Sequence, residues 1–380
     1  MLKLTDINTN ILEWAINYSA QGSELSLRFP KINKWIAKDD YPTVRQLEKF
    51  SKATRVPFGY FFLSKPPSIE LSIPFFRTTD GKSPVKASPE LIDTLRTIEQ
   101  RRDWLREYSI QNGFEKLHFV GSASNENNYK DIAENIREEL SLDEKWAAKL
   151  PNWESALTYL MQKIEEARIN VIRNGIIENN THRKLNYKEF RGFVLVDEYA
   201  PFVFVNGTDY KSAQMFTLAH ELAHIWIGSS AIFDLRQLLP AENKTEQLCD
   251  KIAAEFLVPE TIFTKEWLSF KNSENPFTEI AKSFKVSEIV AARRALDLVL
   301  ITKNDFFDFY TNYVANIPKK KDDAGGGDFY NNQPFRIGKR FANLVFTAVK
   351  DGSLLYKDAY KLTGLNAKTF HEFQNKLSAD

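Results

Sequence analysis

One cysteine, Cys249, among 380 residues excludes an intramolecular disulfide and every zinc module built from several cysteines. Histidine is nearly as scarce: the chain has five, at positions 118, 182, 220, 224 and 371. A histidine-based site must therefore be built round the one close pair, His220 and His224. No apolar run approaches the roughly eighteen residues that a membrane-spanning helix needs, so no membrane partner is expected. The N-terminus does not read as a secretory leader, and together with the lone thiol this gives the expectation of a reducing, cytoplasmic setting. An excess of charge of either sign is also missing, with Lys plus Arg at 51 against Asp plus Glu at 50. That balance excludes a chain that coats nucleic acid by bulk charge, though not one with a local basic face. What is present is a composition 43% hydrophobic and 27% charged, enough for a sizeable core. The length suits two or three domains.

The patterning predicts an α+β protein, mostly helical, in four segments. Residues 1–75 read as a helical, helix-turn-helix-like domain. Apolar side chains recur at helical spacing at Leu12, Ala15 and Ile16, then Ile32, Trp35 and Ile36, then Val44, Leu47 and Phe50. Thr43 is the expected N-cap of a helix over 44–53, followed by a polar turn and an aromatic-rich second helix from Phe58. Pro66-Pro67 and the stretch to 84 read as an extended linker. Residues 76–164 form a helical linking region, with helices over 89–113, 130–140 and 153–167. In the third segment, 165–310, the runs 169–172, 191–196 and 201–206 are β-branched or aromatic and predict two or three strands. The polar stretch 176–190 between the first two is expected to be a mobile loop. Helices over 212–227 and 245–257 follow, then a helix–turn–helix-like pair at 277–300 with Ser287 as its second N-cap. The charged, Gly-rich loop 318–328 lies in the helical C-terminal region, 311–380.

The sharpest signal is His220-Glu221-Leu222-Ala223-His224 inside the apolar run MFTLAHELAHIWIG. Residues four apart share a helix face, so both imidazoles can reach one ion. Glu221 lies about a hundred degrees round the helix, placed to reach a water on that ion as general base without being a ligand. Zn²⁺ suits such a set, because catalytic zinc takes three protein ligands and keeps a fourth position for water. Downstream, Glu246 and Asp250 are again four apart. Glu246 is assigned as third ligand, and Asp250 as the acceptor for the second nitrogen of a ligand histidine. Glu242, in a loop, and Glu255, nine residues beyond Glu246 on the opposite face, are the competitors. Cys249 reads as a small buried thiol; as a thiolate ligand it would instead close the fourth position and make the site structural. A further donor for the transition-state oxyanion is expected among His182, Tyr199 and Tyr210, and the sequence does not choose among them.

The segments FRGFVLVDEYAPFVFVN, AQMFTLAHELAHIWIG and EQLCDKIAAEFLVP together resemble the ImmA/IrrE family of zinc metallopeptidases, over about residues 165–300. The resemblance implies a zincin-like domain with a short sheet beside the HExxH helix. It places His220, Glu221, His224 and Glu246 on the family's site. Where the family pattern carries Ala, Asn and Phe, this chain has Cys249, Asp250 and Ile252. The flanks are similar to long members that begin with a phage-repressor-like helix–turn–helix. The implied activity is that of an endopeptidase cutting a regulatory protein, a repressor, in a stress, prophage or mobile-element response, with aromatic-rich helices selecting the substrate. The other reading is an antitoxin-like partner of a cognate toxin, binding DNA through residues 1–64 and carrying a gated or vestigial zinc site. That stretch holds nine basic residues, Arg45, Lys49, Lys52 and Arg55 among them, against six acidic ones. So modest an excess suits DNA contact or a docking or dimerisation module equally.

Overall fold

A computed structural model describes residues 3–19, 22–67, 73, 87–126, 128–233, 243–316 and 328–379. The chain divides into two compact units, the first comprising residues 1–72 with 77–95 and the second 73–76 with 96–380. The expected linker beyond Pro67, the loop 318–327 and Glu242 fall almost wholly outside the described residues.

In the first unit, α1 (Thr9–Tyr18), α2 (Gly22–Arg28), α3 (Ile32–Ile36) and α4 (Val44–Thr54) enclose a core of Leu12, Trp35, Leu47, Phe50 and Phe61. Helix α4 starts in a capping box: Thr43 Oγ accepts from the Gln46 amide while the Gln46 side chain accepts from the Thr43 amide. It ends at Arg55, left-handed at φ 60°. The second helix expected from Phe58 is only a 3₁₀ turn, Phe58–Phe62, whose buried Phe61 completes the core.

The second unit contains α5 (Pro89–Gln111) from Arg96 onward, then α6 (Tyr129–Glu139) and α7 (Trp153–Glu166). The three predicted strands are present as β1 (Asn170–Asn174), β4 (Gly192–Leu195) and β5 (Phe202–Asn206). The stretch 176–190, expected as a mobile loop, instead holds a hairpin of β2 (Ile176–Ile177) and β3 (Asn180–Lys184). Its turn is fixed from outside. Asn179 accepts from Gln333 and donates to the Gly364 carbonyl, contacts that a local reading of 176–190 cannot contain. After α8 (Lys211–Ile227) comes an unpredicted strand, β6 (Ala231–Phe233), which gives the sheet the order β1-β5-β4-β6. β1 runs parallel to β5, and the other pairs are antiparallel.

Helices α9 (Lys244–Leu257), α10 (Glu260–Phe270), α11 (Pro276–Phe284), α12 (Glu288–Asp297) and α13 (Lys303–Ala315) follow, with Ser287 capping α12 as expected. The last stretch is broken into α14 (Phe329–Gln333), a π turn over Pro334–Gly338, α15 (Lys339–Lys350), α16 (Tyr356–Thr363) and α17 (Ala367–Ala379).

The sheet is buried on both faces, so its central strands read as continuous apolar runs and not as alternations. Val171, Val194, Val203 and Val205 join the core shared with α8 and α9. On the other side Phe193 stacks on Phe204 at 4.9 Å, and Phe202 meets Phe341 of α15 edge-on. Helix α8 is buried almost all round, from Gln214 to Trp226. Its end is closed by Gly228 at φ 83°, where a Cβ would come 3.0 Å from the Gly121 Cα. Amides of Gly121 and Ala123 cap the carbonyls of Ile225 and Trp226. At Gly192 the constraint is contact, because a Cβ there would lie 2.7 Å from Thr217 Cγ2 and 2.8 Å from the Phe204 carbonyl. β4 and α8 approach this closely only because the strand carries no side chain at that point.

Two outcomes follow from this packing. Gly192→Ala should cost about 1–3 kcal/mol by overpacking, read as a lower urea midpoint at unchanged slope. Glu165 on α7, which accepts from the Arg340 amide, has its carboxyl pushed up by burial to about 7. Between its ordinary value near 4.5 and about 7 the folded state holds the proton more tightly. Stability should therefore fall as pH rises through that window and level off above it, a total on the order of 3 kcal/mol. Glu165→Gln should flatten that slope in urea titrations between pH 5 and 8.

Candidate metal centre

Helices α8 and α9 lie side by side, and each places its polar residues on the face turned to the other. His220, Glu221 and His224 are wholly buried, and Glu246 is 7% exposed. The Nε2 atoms of the two histidines are 3.2 Å apart. The carboxylate of Glu246 stands 3.1 Å from His220 Nε2 and 3.3 Å from His224 Nε2. Ligands of a tetrahedral ion with bonds of about 2.0–2.1 Å are separated by roughly 3.3–3.4 Å. The three separations, those to Glu246 made by different oxygens of its carboxylate, are close to the ones that ligands of such a shell would have. His220 Nδ1 lies 3.0 Å from Asp250 Oδ1, which fixes the proton on that nitrogen and leaves Nε2 as donor.

Electrostatics couple the two histidines to the carboxylates that face them. Burial alone would lower the pKa of His220, but hydrogen bonds to Asp250 and Glu246 outweigh it and raise it to about 10. Burial likewise opposes ionisation of Glu246, yet its contacts with His220 and His224 hold its carboxyl well below the usual carboxylate range. His224 is lowered by burial despite the same carboxylate. Among the described residues neither buried carboxylate oxygen of Glu221 has a hydrogen-bond partner, and burial pushes its pKa well up. A buried carboxyl costs several kcal/mol unless something meets it, so Glu221 too fits a site that takes an ion and a water. Cys249 Sγ and a ring nitrogen from each histidine lie within 4.8 Å of one another, so the donor set also includes sulfur.

Four sequence-assigned residues, His220, His224, Glu246 and Asp250, are joined by these contacts, with Glu221 in the same buried layer. Glu255 is turned away, ion-paired with buried Arg294 and accepting from the Glu260 amide. The three candidate oxyanion donors have these surroundings, which do not choose among them. His182 lies on the exposed strand β3. Tyr199 packs under Arg106 and Lys116, 5.6 and 5.8 Å from its ring. Tyr210 caps the start of α8, ten residues or about 15 Å along the helix from His220. Gly192 is the site residue that sequence reasoning missed. A Cβ there would also sit 3.0 Å from Glu221 Oε1, and the available signal was a glycine opening an otherwise bulky strand.

A search of curated proteins finds no match to the chain. Residues 337–376, spanning α15 to α17, match the model of a domain of unknown function. Residues 165–296 match the family model described as the IrrE N-terminal-like domain, a peptidase family. The part of the chain that carries the two histidines and Glu246 is therefore similar to a metal-dependent peptidase domain.

Proposed function

We propose that the protein is a zinc-dependent endopeptidase acting on a regulatory, repressor-like protein. The observation that carries this reading is the triangle of His220, His224 and Glu246 with Glu221 buried and unpartnered beside it. His220 and His224 through Nε2, and Glu246 through its carboxylate, would hold the ion. Bound there, zinc supplies a water of pKa near 7, polarises the scissile carbonyl and provides the positive field that keeps Glu221 ionised. Glu221 accepts the proton of the attacking water and returns it to the departing amide nitrogen. Asp250 keeps the His220 ring in one tautomer and one orientation throughout. The α8–α9 core and the Gly192 contact confine Glu221 to that reach.

The N-terminal unit supports a second role for the same chain. Arg45, Lys49 and Lys52 are all exposed and recur at one-turn and two-turn spacing along one face of α4. Arg55 is not part of this stripe, because it is ion-paired with Glu90. Three aligned cations are a small phosphate footprint, and they favour DNA contact, as expected of an autorepressor or an antitoxin-like partner of a toxin.

Glu221→Gln should retain zinc while lowering cleavage by about 10²–10⁴-fold, whereas His224→Ala should lose the metal by elemental analysis. Co-expression with the products of adjacent genes, followed by a search for a zinc-dependent fragment, identifies the substrate. A stable uncleaved complex with a toxin would favour the binding role. With DNA from upstream of its own gene, a mobility shift should appear at low salt, weaken steeply as salt rises and vanish in Arg45→Glu/Lys49→Glu. No shift at low salt would make the unit a docking module.

A further inference from the structure

We infer that Cys249 is a conditional fourth donor, competing with water for the coordination position that hydrolysis needs. The inference rests on the metal-centred reading above and concerns how that site is regulated. On α9, Cys249 is three residues on from Glu246, which reaches His220 across the helix pair. Cys249 shares that side of α9, and it is wholly buried. Its Sγ shares a sphere of 4.8 Å with ring nitrogens of His220 and His224. Among the described residues Glu221, buried on the same helix as the two histidines, has no hydrogen-bond partner for either oxygen.

The geometry allows two states. With bonds of about 2.3 Å to sulfur and 2.0–2.1 Å to nitrogen, a tetrahedral ion separates those ligands by roughly 3.5 Å. Sγ therefore lies at most about 1.3 Å beyond the sulfur–nitrogen separation of such a shell. When sulfur binds, the thiol proton is released and water is displaced, which leaves a closed four-ligand site without hydrolytic capacity. When sulfur swings away and takes a proton back, the position returns to water. A soft donor in the resting state also favours zinc over hard cations such as Mg²⁺ or Mn²⁺.

The test is the absorption spectrum of the full-length protein loaded with Co²⁺, a spectroscopically visible substitute for zinc. Wild type should show a near-ultraviolet sulfur-to-cobalt charge-transfer band. Cys249→Ala should bind the same amount of cobalt without that band, and its zinc-loaded form should cleave faster than wild type. Cys249→Ser, which keeps the volume, gives the same reading if alanine leaves a cavity that unfolds the protein. Equal cobalt content with identical spectra in wild type and variants would overturn the role of sulfur and leave the peptidase reading intact. Failure of wild type to bind cobalt or zinc at all would overturn both.

Discussion

Two buried imidazoles and two buried carboxyl groups, with the partly exposed Asp250 at their edge, sit between α8 and α9, and their charges must be met within that layer. Glu246 lies within 3.3 Å of both histidines, and Asp250 holds the far side of His220. Removing such groups from water is costly unless each is met by an opposite charge or a hydrogen bond. Asp250 and Glu246 meet His220 in this way. Among the described residues nothing hydrogen-bonds the Glu221 oxygens. The α8–α9 pair is thus organised by what it must hold as much as by its apolar contacts.

The rest of the second unit serves to keep those two helices in register. The valines of the sheet pack under α8, and the phenylalanines on its reverse face are covered from α15. The C-terminal helices are therefore a layer of the same structure that bears on the site through the sheet. They also hold the β2–β3 turn through Asn179. Arg294 has a comparable role on the other flank. By pairing with Glu255 and hydrogen-bonding the Val258 carbonyl, it fixes the end of α9 and keeps the nearest rival carboxylate from the metal face.

Much of this was legible in the sequence because its signals are local. Thr43 with Gln46, Ser287 before α12, the i,i+4 pair His220/His224 and the pair Glu246/Asp250 each act within one helical turn, where spacing dictates geometry. β1, β4 and β5 announced themselves as β-branched or aromatic runs. What was illegible depends on distant partners. The hairpin 176–184 is polar beyond Ile176 and Ile177 and owes its turn to contacts with residues more than 150 positions away. β6 is three residues long and exists by pairing with β4. The closeness of Gly192 to Glu221 is a property of two elements and belongs to neither alone. His182, Tyr199 and Tyr210 could not be ranked from the sequence for the same reason, since an oxyanion donor is defined by a point in space.

The charge demand also couples two requirements of catalysis that could otherwise have been met separately. Glu221 can serve as a base only when ionised, and burial in this apolar layer favours its neutral form. A dication held by His220, His224 and Glu246 would reverse that preference, so metal loading and activation of the base would be one event. A carboxyl in a wetter setting would be ionised at neutral pH with or without metal and would gain nothing from the ion. Gly192 brings β4 against Glu221 and so favours that coupling. The glycine, the buried carboxyl and the histidine pair would then form one arrangement in which the ion that hydrolysis needs also sets the charge state of its base.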